Sequence, residues 1–316
     1  MPDELEVIRS IVGKAGRTPA GYTMIGDDVA VIPSRGGKVV LKADMLVEHT
    51  DVPSGMTYRQ AARKAVAMCV SDFAAKGVKP DSFMVSLGLK KGVTREEVDG
   101  LGLGFRDAER AWGVRLVGGD TNEAKELVID CVLVGFGDKL VTRDGAAPGD
   151  RLVVTSSFGL PPAGLKILSG GVRADPAFAR EAKRSVLEPG PDLRLGLELA
   201  PYLSSSMDSS DGLARSIHTL ARESGVGFKV HELPFAAGVE DFARANSLDP
   251  ERLALEGGEE YIIVGTVSRS KLARATRAAE KAGGTLLVIG TATASKGKVT
   301  MKSGGAIRDA GWTHLG

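Results

Sequence analysis

Aspartates beside glycine, serine or another aspartate recur along this sequence. The group consists of Asp27 and Asp28 in IGDDVAVI, Asp44 in KAD, Asp72 in SDFAAKG, Asp120 in GGDTNEA, and Asp208 and Asp211 in MDSSDGL. Each has a local explanation, such as an Asx turn, a helix N-terminus, a hairpin turn or a pair with a lysine one helical turn away. Gathered in one cleft, the same carboxylates would repel one another strongly unless cations lay among them.

Magnesium is the natural cation for such a cleft, because it prefers oxygen ligands and usually binds carboxylates together with substrate phosphates. The aspartates therefore predict more than one magnesium ion and a nucleotide polyphosphate. The sequence has no Walker-type loop, and GLGLGF at 100–105 lacks the spacing of a dinucleotide-binding turn. The small residues of SSFGLPPAGL at 156–165 make this segment the candidate phosphate cradle. Arg143 is the side chain expected to meet a phosphate, although solvation equally explains a lone arginine in a loop.

Alternating strands and helices must position these residues. In the first half, the apolar patterns predict strands at 38–44, 81–89, 114–120 and 126–137, and helices at 57–77 and 94–113. In the second half, they predict strands at 151–157, 259–267 and 285–293, and helices at 158–171, 209–225 and 268–284. Thr57 and Thr94 are suited to cap the first two helices, and Ser or Asp is available to cap the helix at 209–225. On this assignment the aspartates lie where strands or helices stop.

Length and composition limit the class of protein. The 316 residues exceed the usual domain size of roughly 100–200 residues and predict two domains, which we place at 1–140 and 141–316 around the turn-rich stretch 142–150. With 43% hydrophobic and 26% charged residues the chain is not disordered, and a net charge of +1 gives no sign of nucleic-acid binding. Cys69 and Cys131 lie in apolar stretches and are expected to be reduced core residues. The sequence shows neither a membrane span nor a signal peptide, so we expect a cytoplasmic protein without a membrane partner.

Seven motifs together carry a family resemblance. GDDVAVI, ADMLVEHT, SDFAAKGVKP, GGDTN, TRDGAAPGD, MDSSDGL and GGEEY, in this order and spacing, resemble the thiamine-monophosphate kinase family. That family belongs to the superfamily of aminoimidazole ribonucleotide synthetases and selenophosphate synthetases. The resemblance covers nearly the whole chain and implies a two-domain α/β (α+β) fold. In that fold the N-terminal domain binds ATP and Mg²⁺, its sheet forms a barrel across a homodimer, and the C-terminal domain is mixed α/β.

The resemblance also implies an activity and a set of site residues. The activity is ATP-dependent phosphorylation of thiamine monophosphate to thiamine diphosphate. Magnesium ligands are expected at Asp28, Asp44, Asp72, Asp120, Asp208 and Asp211, with Lys42 and Ala43 flanking Asp44. ATP contacts are expected at Gly119, Asp120, Arg143 and Ser210, and substrate contacts at His49, Glu259 and Trp312.

The residue inventory agrees with such a transfer. A phosphate monoester has a second pKa near ~6, so the acceptor is already an anion and needs no general base. Catalysis then reduces to neutralising and aligning two anions, and we expect direct in-line transfer with Asp28, Asp72 and Asp120 holding the metals. An aminoimidazole ribonucleotide synthetase-like enzyme with another acceptor and a non-catalytic nucleotide-binding regulatory protein remain as alternatives.

Two segments depart from the family pattern, and the role of a third residue is open. The segment from Asp44 to His49 is two residues shorter than the pattern, and no Phe follows His49. The usual GGEDYE is GGEEYI here, so Glu259 is the better candidate than Glu260. Trp312 is equally explained by stacking on a cationic ring and by packing.

Overall fold

The computed structural model describes residues 4–14 and 26–313. In the first half, the helices and strands are α1 (Glu4–Lys14), β1 (Ala30–Ser34), β2 (Gly37–Val47), α2 (Glu48–Asp51), α3 (Tyr58–Lys76), β3 (Pro80–Lys90), α4 (Arg95–Trp112), β4 (Arg115–Ala124) and β5 (Val128–Phe136). Its strands form a five-stranded sheet in the order β1-β2-β5-β3-β4. The β3–β4 pair is parallel and the other pairs are antiparallel. The strand order makes β1 and β4 the edge strands.

The second half builds a second sheet. Its elements are β6 (Arg151–Val154), α5 (Leu160–Ser169), α6 (Pro176–Leu187), α7 (Leu193–Leu199), β7 (Leu203–Ser209), α8 (Leu213–Ser224), β8 (Gly227–Val230), α9 (Val239–Ala245), α10 (Pro250–Glu256), β9 (Ile262–Val267), α11 (Arg269–Ala282), β10 (Leu287–Thr293) and β11 (Val299–Met301). The strand order is β11-β8-β10-β6-β9-β7, in which only the β11–β8 pair is parallel. The chain is therefore mixed α/β with two sheets, as expected.

Helix α3 joins the two halves. It contacts β2 and β5 of the first sheet and β7 and β9 of the second. Phe73 of α3 lies in one apolar core with Leu133 of the first sheet and Val267 of the second. Fourteen of the nineteen residues of α3 are buried. The buried polar side chains of this helix must therefore find partners inside the protein.

Several local predictions are confirmed. Helix α3 begins after a capping box of Thr57 and Gln60, and α4 begins after the predicted box of Thr94 and Glu97. Gly77 ends α3 with φ of 65°, in the left-handed region that favours glycine. The two cysteines are free and buried. The boundary at 140/141 stays a prediction. No helix within residues 4–14 and 26–313 is long and apolar enough to cross a membrane.

Two sequence expectations are wrong. Asp44, Asp72 and Asp120 lie inside β2, α3 and β4, not at their ends, because the strands continue through polar residues and α3 continues to Lys76. The helix at 209–225 begins only at Leu213, and Gly212 precedes it without a side-chain cap.

Candidate active site

Three aspartates from three elements meet where the two halves join. Asp28 precedes β1, Asp72 lies in α3, and Asp208 lies in β7. Each residue offers one carboxylate oxygen, and these oxygens lie within 4.8 Å of one another. The residues are only 3%, 4% and 5% exposed. We call them the acid triad. The structure thus brings together three of the six predicted magnesium ligands.

Three cationic side chains of the protein surround the triad. Lys76 Nζ lies 2.7 Å from Asp28 Oδ2 and 2.6 Å from Asp27 Oδ1. Arg143 Nε donates to Asp28 Oδ1 at 2.7 Å. Lys42 Nζ lies 3.2 Å from Asp44 Oδ1 and 3.0 Å from Asp72 Oδ2. Lysine and arginine side chains therefore supply part of the positive charge that we expected among the aspartates.

The sequence analysis missed Lys76 and the side-chain role of Lys42. Asp72 pairs with Lys42 and not with Lys76, its neighbour one helical turn along α3. The sequence did carry a signal. Lys76 follows Phe73, Ala74 and Ala75 in the second half of a helix that is rich there in alanine and valine, so a solvated lysine is unexpected at this position.

The pKa values show where the charge is balanced and where it is not. Burial opposes ionisation of Asp28, but Lys76 and Arg143 outweigh it and lower the pKa of this carboxyl. Burial, with Asp208 and Asp44 nearby, raises the pKa of Asp72 well above its usual range in spite of Lys42. Burial and the charge of Asp28 raise the pKa of Asp208 to about 7, although Ser71 donates a hydrogen bond to it. The chain thus compensates the ionised forms of Asp72 and Asp208 only in part, and a divalent cation would stabilise them.

Asp120 lies away from the triad within one chain. Across the first sheet Asp44 is in register with Cys131, Val85 and Gly119, on the face that α3 covers. The adjacent row, which contains Asp120, Ser86, Asp130 and Met45, points to the opposite face because strand side chains alternate. Asp120 is exposed, three strands and about 14 Å across the sheet from β2.

Gly119 allows β4 to approach β3 closely. A Cβ at this position would lie 2.0 Å from Val85 O, so no other residue fits without moving the strands. Ala43 is exposed on β2, next to Asp44.

Four predicted residues of the second half converge after β7. Glu259 N donates to Ser210 O at 2.6 Å, and Trp312 N donates to Asp211 O at 3.0 Å. Glu259 also forms an ion pair with the buried Lys64. Asp211 is not part of the acid triad, and Trp312 is 53% exposed. The structure therefore places Ser210, Asp211, Glu259 and Trp312 together beside the strand that carries Asp208.

His49 lies on the surface of α2. Its side chain is 73% exposed, and its backbone N donates to Glu126 Oε2 at 2.8 Å. Helix α2 directly follows β2, the strand that carries Lys42 and Asp44.

The predicted phosphate cradle already holds a carboxylate. Helix α5 begins after Gly159, whose φ is 105° and whose N–H donates to Glu260 Oε1 at 2.6 Å. Burial raises the pKa of Glu260 to about 8 although this hydrogen bond favours the charged form. The N–H of Gly159 is thus taken by Glu260, and phosphate binding by the rest of the segment 156–165 stays a prediction.

The fold and site define a class of ATP-utilising enzymes related to aminoimidazole ribonucleotide synthetase. Residues 26–137 match the family of the AIR synthase related protein, N-terminal domain, and residues 147–302 match its C-terminal domain. The thiamine-monophosphate kinase of Nitrosopumilus maritimus is 34% identical over 315 residues, which cover 99% of this chain and 98% of that protein. The thiamine-monophosphate kinase of Pyrococcus horikoshii is 35% identical over 250 residues, 78% of each chain. The chain belongs to the thiamine-monophosphate kinase family.

A solved structure agrees over the whole fold. AaThiL complexed with AMPPCP and TMP superposes with a TM-score of 0.86 and 25% identity, covering 99% of this chain and 97% of AaThiL. The family resemblance read from the seven motifs is therefore confirmed.

Proposed function

We propose that this protein transfers the γ-phosphoryl group of ATP to the phosphate of thiamine monophosphate and so forms thiamine diphosphate. The observation that carries the proposal is the buried acid triad at the junction of the two halves, with Lys42, Lys76 and Arg143 around it. The full-length similarity to thiamine-monophosphate kinases, and to AaThiL complexed with AMPPCP and TMP, supports the choice of substrates.

The residues of the triad fit magnesium. Three buried carboxylates lie within reach of one ion, and the raised pKa values of Asp72 and Asp208 mark charge that the protein leaves uncompensated. Magnesium would be held by Asp28, Asp72 and Asp208, with Asp44 beside them and Asp120 and Asp211 as further ligands. Bound there, it would neutralise the phosphate oxygens between which the phosphoryl group moves.

The protein's own groups align the reactants. Arg143 and Lys76 fix Asp28 on both sides, and Lys42 links Asp72 to Asp44. Gly119, Asp120, Arg143 and Ser210 are the proposed ATP contacts, and His49, Glu259 and Trp312 the proposed substrate contacts. Because the attacking phosphate is already an anion, no residue has to remove a proton, and the transfer proceeds directly between the two substrates.

The proposal includes a homodimer. The face of the first sheet that carries Asp120 also exposes Met45, Met84 and Phe136, which are 58%, 47% and 62% exposed. Pairing of this face between two subunits would bury the apolar side chains and close the sheets into a barrel. Asp120 lies on this face, so the pairing would place it next to the partner subunit. The cytoplasmic location stays a prediction.

The test is product formation by the purified protein. With ATP, Mg²⁺ and thiamine monophosphate we expect thiamine diphosphate and ADP in equal amounts, and no product without Mg²⁺. Aminoimidazole ribonucleotide precursor serves as the parallel acceptor. ATP binding without formation of thiamine diphosphate would refute the kinase activity. Product from the parallel acceptor would instead indicate an aminoimidazole ribonucleotide synthetase-like activity.

A further inference from the structure

Lys64 is a fully buried cation that the transfer chemistry leaves unused. It lies in α3, where its side chain is 0% exposed. Its Nζ donates to Asp51 O at 2.8 Å and forms an ion pair with Glu259 Oε1. A buried ammonium group is costly unless it is paired, so this lysine needs both partners.

Helix α3 relates this pair to the acid triad. Lys64 and Ser71 are seven residues apart, so they lie on the same face of α3 about 10 Å from each other along its axis. Ser71 donates to Asp208 of the triad at 2.7 Å. The same helix face therefore reaches the acids at one end and Glu259 at the other. A ligand whose phosphate binds near the acids can therefore reach Glu259 along this face of α3.

The segment that carries Glu259 is held in an unusual conformation. Glu259 and Tyr261 have φ of 65° and 50°, in the left-handed region that side chains other than glycine rarely adopt. Two hydrogen bonds fix the segment: Glu259 N donates to Ser210 O at 2.6 Å, and Tyr261 N donates to Ser209 O at 2.9 Å. Strained backbone of this kind persists only where the surroundings determine it, and it is concentrated at functional sites.

The two oxygens of Glu259 differ in their environment. Oε1 is taken by Lys64, whereas Oε2 is buried and has no hydrogen-bond partner among the residues that the structure describes. The side chain as a whole is 20% exposed, so it lies at an opening of the site. A buried acceptor without a partner is unfavourable, and a ligand that brings an N–H group there removes the cost.

We infer that Lys64 is a positioning residue that turns Glu259 so that Oε2 accepts a hydrogen bond from an N–H donor on the ring end of the phosphate acceptor. This rests on the proposed function, under which the acceptor is thiamine monophosphate and the donor is the exocyclic amino group of its pyrimidine. The pair selects an amino group at that position over an oxygen acceptor. Lys64 does so without touching the substrate.

The variant Glu259→Gln gives the sharpest test, because Lys64 can only donate. The amide oxygen must then take the place of Oε1, and the amide N–H₂ takes the place of Oε2. Binding is measured by titration calorimetry with Mg²⁺ and AMPPCP present, for thiamine monophosphate and for oxythiamine monophosphate, in which an oxygen replaces the amino group. The wild-type protein should prefer the amino compound by about tenfold or more, and Glu259→Gln should prefer the oxo compound.

The double variant Lys64→Met/Glu259→Gln isolates the positioning role. It removes a buried positive and a buried negative charge together, so it avoids the uncompensated carboxylate that Lys64→Met alone leaves. Without Lys64 the amide is free to turn either way, and the preference between the two compounds should disappear while AMPPCP affinity is unchanged. Thermal unfolding checks that both variants are folded.

Two results would overturn the inference: an amino preference in Glu259→Gln equal to that of the wild type, or the same oxo preference in the double variant as in Glu259→Gln. The proposed function fails separately. If the wild type binds thiamine monophosphate with the expected preference but forms no thiamine diphosphate from ATP, the kinase activity is refuted and the role of Lys64 stands. If the wild type forms thiamine diphosphate but binds the two compounds equally, the role of Lys64 is refuted and the kinase activity stands.

Discussion

Lys76 holds Asp28 from inside the protein, with Nζ 2.7 Å from Asp28 Oδ2 and with none of its side chain exposed. The same ammonium group contacts Asp27 Oδ1 at 2.6 Å and donates to Ser206 O at 2.7 Å. It therefore links three parts of the fold: helix α3, strand β7 and the segment that precedes β1. The acids near β1 have a fixed partner before any metal arrives.

Replacing this lysine should destabilise the fold strongly. In Lys76→Met the carboxylates of Asp27 and Asp28 lose a buried partner, and breaking such a pair typically costs about 3–5 kcal/mol. Urea unfolding should show the loss, and added Mg²⁺ should recover more stability in the variant than in the wild type. The double variant Asp27→Asn/Lys76→Met should be less destabilised, because only one of the two carboxylates is then left without its partner. Wild-type stability of Lys76→Met would contradict this account.

The metal-free protein should lose stability as pH rises from about 4 to about 8. The pKa of Asp208 is raised from 3.8 to about 7, that of Asp72 is also raised, and that of Glu260 is raised to about 8. In this window the folded state binds more protons than the unfolded state, so the free energy of unfolding falls as pH increases. Thermal unfolding without divalent ions measures the slope.

Two variants separate the contributions to this slope. Asp208→Asn should reduce the slope between about pH 4 and about pH 7, whereas Glu260→Gln should reduce it from about pH 4.5 up to about pH 8, so only Glu260→Gln should change the slope above pH 7. Mg²⁺ should stabilise the wild type more at pH 8 than at pH 5, because the acids that would hold it are then ionised. A slope of opposite sign in the metal-free wild type would refute the assignment.

The sequence predicted the composition of the site better than its arrangement. Asp28, Asp72 and Asp208 lie in recognisable motifs. Helices such as α3 and α4 can be predicted from their capping residues and terminal glycines. The residues that pair with these acids are brought to them by long-range packing, and local sequence patterns do not predict such packing. The ion pair between Lys42 and Asp72, for example, depends on α3 lying across β2.

The position of Asp120 within a strand could also not be predicted from the sequence. Its motif GGDTN contains glycine, asparagine and threonine and indicates a turn, yet β4 passes through it as a strand paired with β3. Which face an aspartate takes depends on register, and a shift of one residue reverses it. Buried lysines in an apolar helix, Lys64 and Lys76, were the one available signal that the sequence reasoning passed over.

Close packing of α4 on α3 depends on one glycine. A Cβ at Gly104 would lie 2.1 Å from Arg59 O, whereas at Gly102 in the same helix it would meet nothing within 4 Å. Gly104→Ala should therefore push the helices apart and cost about 1–3 kcal/mol. Gly102→Ala should instead stabilise the protein by up to ~1 kcal/mol through helix propensity. Equal effects of the two substitutions in urea unfolding would contradict the packing.

Mixed dimers can decide which subunit supplies Asp120. Asp72→Asn and Asp120→Asn should each abolish most activity, because each removes a proposed metal ligand. If Asp120 of one subunit completes the site of the other, a mixed dimer of the two variants retains one site in which both residues are intact. Random mixing makes half of the dimers mixed, each with one of two sites working, so about a quarter of wild-type activity should return.

The matched control is the mixture of Asp72→Asn with Asp208→Asn. Both residues belong to the acid triad of a single chain, so every site in their mixed dimer carries one defect and activity should stay low. Co-expression with two affinity tags isolates the mixed species and removes the dependence on mixing ratio. Recovery with Asp120→Asn but not with Asp208→Asn would place Asp120 in the partner's site, whereas no recovery in either mixture would require Asp120 to reach the triad of its own chain by a rearrangement of β4.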